Sequence, residues 1–342
     1  GRGTARVDWS KKMDDQGGVL GAHDDQTASP IDITLALDVR QLELADLRWL
    51  EAELPEGTGS GAIEAQFTPG EESRWRFSGL ELASAGSEVS GSGGLTVRAG
   101  RVALESVDAR LRNLSPMLFR PWFAASDSLP TWLDMRITGP VRASGPVTDV
   151  SVAAELDVLP AGADSSIALD LRGGLLLGSD PGARALRVVA RRLDLGRLLQ
   201  RETGPPALTG LVNVDARVDG RIAEGIQVTG DLIRPGRVGP SLVRVDGTVA
   251  RTLPDADAPP RWPVAGLILL EPLRAEHVAM LAPAAQLRGS VSGSARVAGS
   301  LSDMTVATDL QTSGGPLELQ VRLNAFDPAG GLRVSGPLRG VD

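Results

Sequence analysis

The chain has no cysteine and no tyrosine among its 342 residues. It has two histidines, and lysine only at positions 11 and 12. Without cysteine there is no disulfide, no thiol nucleophile, and no zinc or iron–sulfur site built on thiolates. The absence leaves the compartment open, since a large disulfide-free core suits cytosol and periplasm alike. The near absence of lysine makes arginine the general cation, which reads as composition bias rather than anion recognition. Long apolar runs are missing too: Val264–Leu270 is the longest and is of strand length, far short of the roughly 20 residues of a membrane helix. Gly1–Asp15 lacks the apolar segment of a signal peptide. The net charge of −8 offers no basic field for nucleic acid. Both ends read as cut or processed, so any anchor is expected outside the chain.

What is present is aliphatic, glycine-rich and alternating. Apolar residues make up 42% while aromatics reach only 3%, and the chain holds 41 Gly and 23 Pro. Ile31, Ile33, Leu35, Leu37 and Val39 alternate with Asp32, Thr34, Ala36 and Asp38. The same period of two returns at Val150–Leu156, Ile167–Leu171, Val212–Val218, Val243–Val245 and Leu317–Leu323. Such alternation predicts half-buried antiparallel sheet. Gly57–Gly61, Ser90–Gly94, Gly173–Gly174 and Gly314–Pro316 read as turns between strands. The expected fold class is mainly β: an elongated, repetitive antiparallel sheet, as curved trough or sandwich, with a few short capping helices.

A leucine phrase recurs four times, ending at Leu50, Leu118, Leu199 and Leu281. A Gly-punctuated strand pair follows at Gly145–Val152, Gly220–Val228 and Gly299–Val306. Two elements repeating in step predict a repeated structural unit. The expected organisation is an irregular arm over 1–30, with one strand at Thr4–Asp8, and repeat regions over 31–119, 120–200, 201–281 and 282–342. Each phrase predicts one to two helical turns, best at Asp46–Ala52, with Pro116 in the first turn of the second copy. Linkers are expected at 121–131, 178–182, 204–206 and 253–263.

Chemistry-bearing motifs are sparse. His23 lies among Asp14, Asp15, Asp24 and Asp25, which reads as a solvated acidic loop rather than a metal site. His277 aligns in the repeat with Leu114 and Leu195 and reads as a packing residue. No Gly-x-Ser-x-Gly elbow and no phosphate-binding Gly-Lys-Ser/Thr loop occurs. The expectation is a non-enzyme with no catalytic residue, cofactor or metal. Two clusters carry a contact hypothesis. Arg184, Arg187, Arg191, Arg192, Arg197 and Arg201 form either a solvated face or a contact for anionic headgroups or an acidic partner. Phe119, Trp122, Phe123 and Trp132 form either a plug at the end of the core or a docking tip for a membrane or protein.

The leucine phrase followed by Leu208–Ala216, or by Leu287–Gly299, resembles the AsmA-like and TamB-like proteins of Gram-negative envelopes. The resemblance covers about residues 31–342, best over 185–325, and is one of structural pattern. It implies a long curved sheet rolled into a trough with an aliphatic interior, a periplasmic location at a membrane, and lipid transport or envelope assembly. The implied partner is membrane lipid or an integral membrane protein complex. The chain departs from the family in showing no anchor and in being short for a periplasm-spanning bridge. The alternative is a scaffold or accessory subunit with a closed core, docked on a membrane complex; a hydrolase of envelope polymers comes third.

Overall fold

The computed structural model describes residues 2–11, 31–47, 55–68, 72–119, 134–163, 165–178, 180–194, 211–234, 239–252, 262–277, 289–323 and 333–335. These are mainly β-strand, with short 3-10 turns and one helical turn. Two compact units divide the chain between Ser151 and Val152.

Unit 1 is an antiparallel meander in which each strand pairs with the next. Its strands are β1 (Arg2–Lys11), β2 (Ile31–Glu43), β3 (Thr58–Thr68), β4 (Glu72–Ser84), β5 (Ser87–Arg98), β6 (Arg101–Leu114) and β7 (Met135–Pro146). The supposedly irregular arm therefore starts with a ten-residue strand, longer than the one expected at Thr4–Asp8. It pairs along its length with β2, matching Val7 to Leu35 and Trp9 to Ile33. The β4–β5 and β5–β6 hairpins turn at Ala85-Gly86 and Ala99-Gly100, all four residues at positive φ. That is the geometry of type I′ loops, whose twist matches the strands they join.

β8 (Asp149–Pro160) crosses the division between the units. Unit 2 continues with β9 (Ile167–Leu176), β10 (Gly182–Asp194), β11 (Leu211–Arg221), β12 (Gly225–Arg234), β13 (Ser241–Val249), β14 (Pro263–Arg274), β15 (Ser290–Ser300), β16 (Asp303–Thr312), β17 (Gly315–Leu323) and β18 (Arg333–Ser335). From β9 to β18 every strand again pairs antiparallel with its successor.

The leucine phrases fall on every fourth strand: β2, β6, β10 and β14. Each of these strands carries a β-bulge near its end, between Val39 and Leu42, Leu111 and Leu114, Ala190 and Leu193, and Leu270 and Leu273. A bulge bends and twists its strand, so the bulge marks a corner. Counted between the leucines that resume pairing (Leu42, Leu114, Leu193, Leu273), the repeat intervals are 72, 79 and 80 residues. This register is more even than the one through Leu50, Leu118, Leu199 and Leu281. It places His277 opposite Leu118, four positions from the slot of Leu114. Three of these strands lead into a helical turn: 3-10 at Leu44–Leu47 and Pro116–Phe119, and helical at Ala275–His277. The residues that follow them, 48–54, 120–133 and 278–288, which include most of the helix expected at 46–52, lie outside the described residues.

Bulging exposes a backbone N–H, and here polar side chains of the next strand take it. Asn113 N donates to Thr138 Oγ1 at 3.1 Å, Arg192 N to Asn213 Oδ1 at 3.0 Å, and Ala185 N to Asp219 Oδ1 at 2.6 Å. All three donors have positive φ.

Three glycine clusters expected as turns are strand interior instead. Gly59 and Gly61 lie in β3, Gly91, Gly93 and Gly94 in β5, and Gly173 and Gly174 in β9. The reason is close approach of the neighbouring backbone. A Cβ on Gly91 would stand 2.3 Å from Asp108 O, and one on Gly173 2.5 Å from Leu186 Cα. Gly314 does sit in a turn, between β16 and β17.

Candidate functional site

Alternation along each strand separates two faces, and the pairing registers align their residues into rows. In unit 1 one row runs Leu37, Ile63, Phe77, Gly93, Val107 and Ala143 across β2 to β7. The neighbouring row runs Leu35, Ala65, Trp75, Leu95 and Leu104. Phe67 packs edge-on to Trp75 with ring centroids 5.2 Å apart, a favourable aromatic geometry.

In unit 2 the rows are longer. One passes through Leu169, Ala190, Val214, Leu232, Val243, Leu270, Gly293, Leu310 and Leu317. The next runs Leu171, Val188, Ala216, Gly230, Val245, Ile268, Ala295, Thr308 and Leu319. Thr308 is its one hydroxyl, and that group is engaged by its neighbour's backbone: Leu319 N donates to Thr308 Oγ1 at 2.9 Å. The two rows of unit 2 are thus aliphatic but for Thr308, whose hydroxyl is engaged.

This face is incompletely covered. Its fully buried members are small or scattered, such as Ala65, Ala190, Ala295 and Leu310. Leu35, Leu37, Ile63, Phe77, Val188, Val245, Ile268 and Leu319 are half-buried. A filled sandwich core buries such side chains completely against a facing sheet. In unit 1 the track deepens into an apolar recess of about 180 Å³. Gly91 and Gly93 of β5 form its floor, and Phe77, Leu80, Val107 and Leu104 stand around it. The glycine pair that reads as a turn in the sequence is therefore what hollows this face.

The opposite face is polar and carries arginine–carboxylate pairs. Arg187 Nε and Nη2 donate to Asp215 Oδ1 and Oδ2 at 2.9 and 2.6 Å. Arg244 bonds Asp231 at 2.9 Å and lies 3.6 Å from Glu271, and Arg322 pairs with Asp303 through both carboxylate oxygens. Hydrogen bonding from the partner guanidinium holds the Asp215 and Asp303 carboxyls below the usual carboxylate range.

Of the arginine cluster, Arg184, Arg187, Arg191 and Arg192 lie on β10; Arg197 and Arg201 lie outside the described residues. Arg187 is committed to Asp215, Arg191 lies 3.9 Å from Asp170, and Arg192 is the bulge residue held by Asn213. Of the aromatic cluster, Phe119 ends the 3-10 turn after β6, while Trp122, Phe123 and Trp132 lie outside the described residues.

His277 is 1% exposed and Ser241 2% exposed. Ser241 Oγ stands 2.6 Å from His277 Nδ1 and accepts the backbone N–H of Arg274 at 2.9 Å. The tautomer with its proton on Nε2, 3.6 Å from the Glu276 carboxylate Oε1, leaves Nδ1 to accept the Ser241 hydroxyl hydrogen. Burial pushes the His277 pKa down. Serine, histidine and glutamate meet here, but the serine is sealed from solvent and its oxygen already serves a backbone donor, so no substrate reaches it as arranged. Ser87 does the same work at the β5–β6 corner of unit 1, donating to Asn113 O and accepting from Ser115 N, both at 3.1 Å. Sequence reading missed both serines, because nothing local distinguishes them from other strand-initial serines.

Among the described residues no helix is long and apolar enough to cross a membrane. Compared with known proteins, the chain matches no family model, no curated protein and no solved structure.

Proposed function

We propose that this chain is a non-enzymatic protein of the Gram-negative cell envelope, periplasmic and membrane-associated, that holds lipid acyl chains along the aliphatic track of its sheets. The observation that carries this reading is the track itself: apolar rows running from strand to strand in each unit, half-buried, with the one hydroxyl of the unit 2 rows engaged by a neighbouring backbone. A contiguous exposed apolar surface on a folded protein calls for an occupant. Acyl chains match it chemically, since each methylene withdrawn from water contributes about 0.8 kcal/mol and needs no hydrogen-bonding partner. The half-burial favours this reading over a scaffold with a closed core. The engagement of Arg187 by Asp215 favours recognition of chains over recognition of headgroups at that β10 arginine.

A photo-crosslinking amino acid at Val107, on the apolar face, and another at Asp108, on the opposite face, tests the proposal. After illumination in membrane-containing cells, mass spectrometry is expected to find lipid adducts at Val107 and not at Asp108. Equal labelling at both positions, together with no lipid in the purified protein, refutes it.

A further inference from the structure

We propose that His277 is an acid-sensitive latch that ties the end of β14 to the start of β13 at neutral pH and releases it when protonated. With the ring proton on Nε2, the side that faces the Glu276 carboxylate, Ser241 Oγ–H donates to Nδ1 while Oγ accepts from Arg274 N–H at 2.9 Å. A proton on Nδ1 breaks it. The serine hydrogen then loses Nδ1 as its acceptor, in a place where neither residue meets solvent. An unpaired buried donor is costly, and an enclosed imidazolium more so.

Burial is the largest effect on the ring, and the charges around it act in both directions. Two guanidiniums bear on the ring, that of Arg274 on β14 and that of Arg234 on β12. The one opposing charge is Glu276, 3.6 Å from Nε2, and it is 44% exposed, so water screens it. Opening the corner relieves all of this at once, because it rehydrates the ring. Unit 1 supplies the internal control: the Ser87 corner has the same serine, accepting a backbone N–H at 3.1 Å, but a carbonyl oxygen, Asn113 O, in place of the imidazole. That corner has no histidine in the serine's hydrogen bonds.

The sign follows from proton counting. The folded ring binds its proton less readily than the ordinary histidine of the unfolded chain. The latch is therefore at full strength above about pH 6.5 and weakens as pH falls below it.

The test is hydrogen exchange on the full chain at about pH 7.5 and about pH 5, corrected for intrinsic exchange. Protection at Arg274–His277 is expected to fall with acidification, by up to about tenfold per pH unit. Protection at Asn113–Ser115 is expected to stay constant. In His277→Gln, whose amide oxygen also accepts the Ser241 hydrogen, the fall disappears. Constant protection at Arg274–His277 in the wild type overturns the proposal, as does an equal fall in His277→Gln. If that variant does not fold, NMR titration of the wild-type ring decides: a midpoint at or above about 6.5 overturns the latch.

Discussion

Replacing Gly91 by alanine tests why glycine occupies the middle of a strand. The added Cβ would lie 2.3 Å from Asp108 O and 2.9 Å from Ala109 Cα. Both atoms are backbone of β6, so no side chain can swing aside. Relief requires the two strands to part by about 1 Å at the Gly91–Ala109 pair, weakening roughly two ladder hydrogen bonds at about 1 kcal/mol each. Overpacking adds about 1 kcal/mol, and the lower entropy of an unfolded alanine returns about 0.5–1 kcal/mol. The expected net loss is about 2 kcal/mol, read as hydrogen-exchange protection across β5 and β6 and as the urea midpoint. Gly93 is the matched control. Its Cβ would meet Val107 Cγ2 and Ser106 O at 3.1 Å, and the valine methyl can yield. Gly93→Ala is expected to cost less than half as much while shallowing the apolar recess. If Gly91→Ala is as stable as the wild type, close strand approach is not the reason for the glycine.

Two further outcomes are expected. Ser241→Ala removes the acceptor for Arg274 N–H and the donor to His277, and Ser87→Ala strands Ser115 N; each is expected to cost about 1–3 kcal/mol by chemical denaturation, and neutrality of both would mean the corner serines are incidental. Asp215→Asn is expected to reduce stability only above the acid range. The Asp215 pKa is depressed by Arg187, so its contribution is present above about pH 3.8 and is lost as pH falls through the lower folded value. The effect shrinks with salt because the pair is exposed, and a salt-independent loss contradicts that account.

Much of the fold was legible in the sequence because β-structure writes itself as a period of two. Leu317, Leu319 and Val321 against Glu318, Gln320 and Arg322 predict β17 and its two faces, and the burial pattern alternates in that register. The leucine phrases mark four strands that bulge near their ends, and the copies can be aligned through more than one set of leucines. Each phrase holds more than one leucine, and strand pairing after the bulge resumes at Leu42, Leu114, Leu193 and Leu273. Ser90–Gly94 was misread for a related reason. Glycine is required both where the chain reverses and where two backbones nearly touch, and the sequence of one strand does not contain its neighbour.

The sequence by itself determined the mainly β class, the alternation of faces and the repetition, because these depend on residues close together in the chain. It also excluded thiol chemistry outright. Tertiary structure alone decided that the apolar residues of many strands align into continuous rows, that two glycines hollow one of them, and that Ser241 meets His277 across 36 positions. Those outcomes depend on register, and one residue of slippage turns every side chain of a strand to the opposite face. Register is set by bulges, hairpins and neighbouring strands acting together, which no single segment encodes.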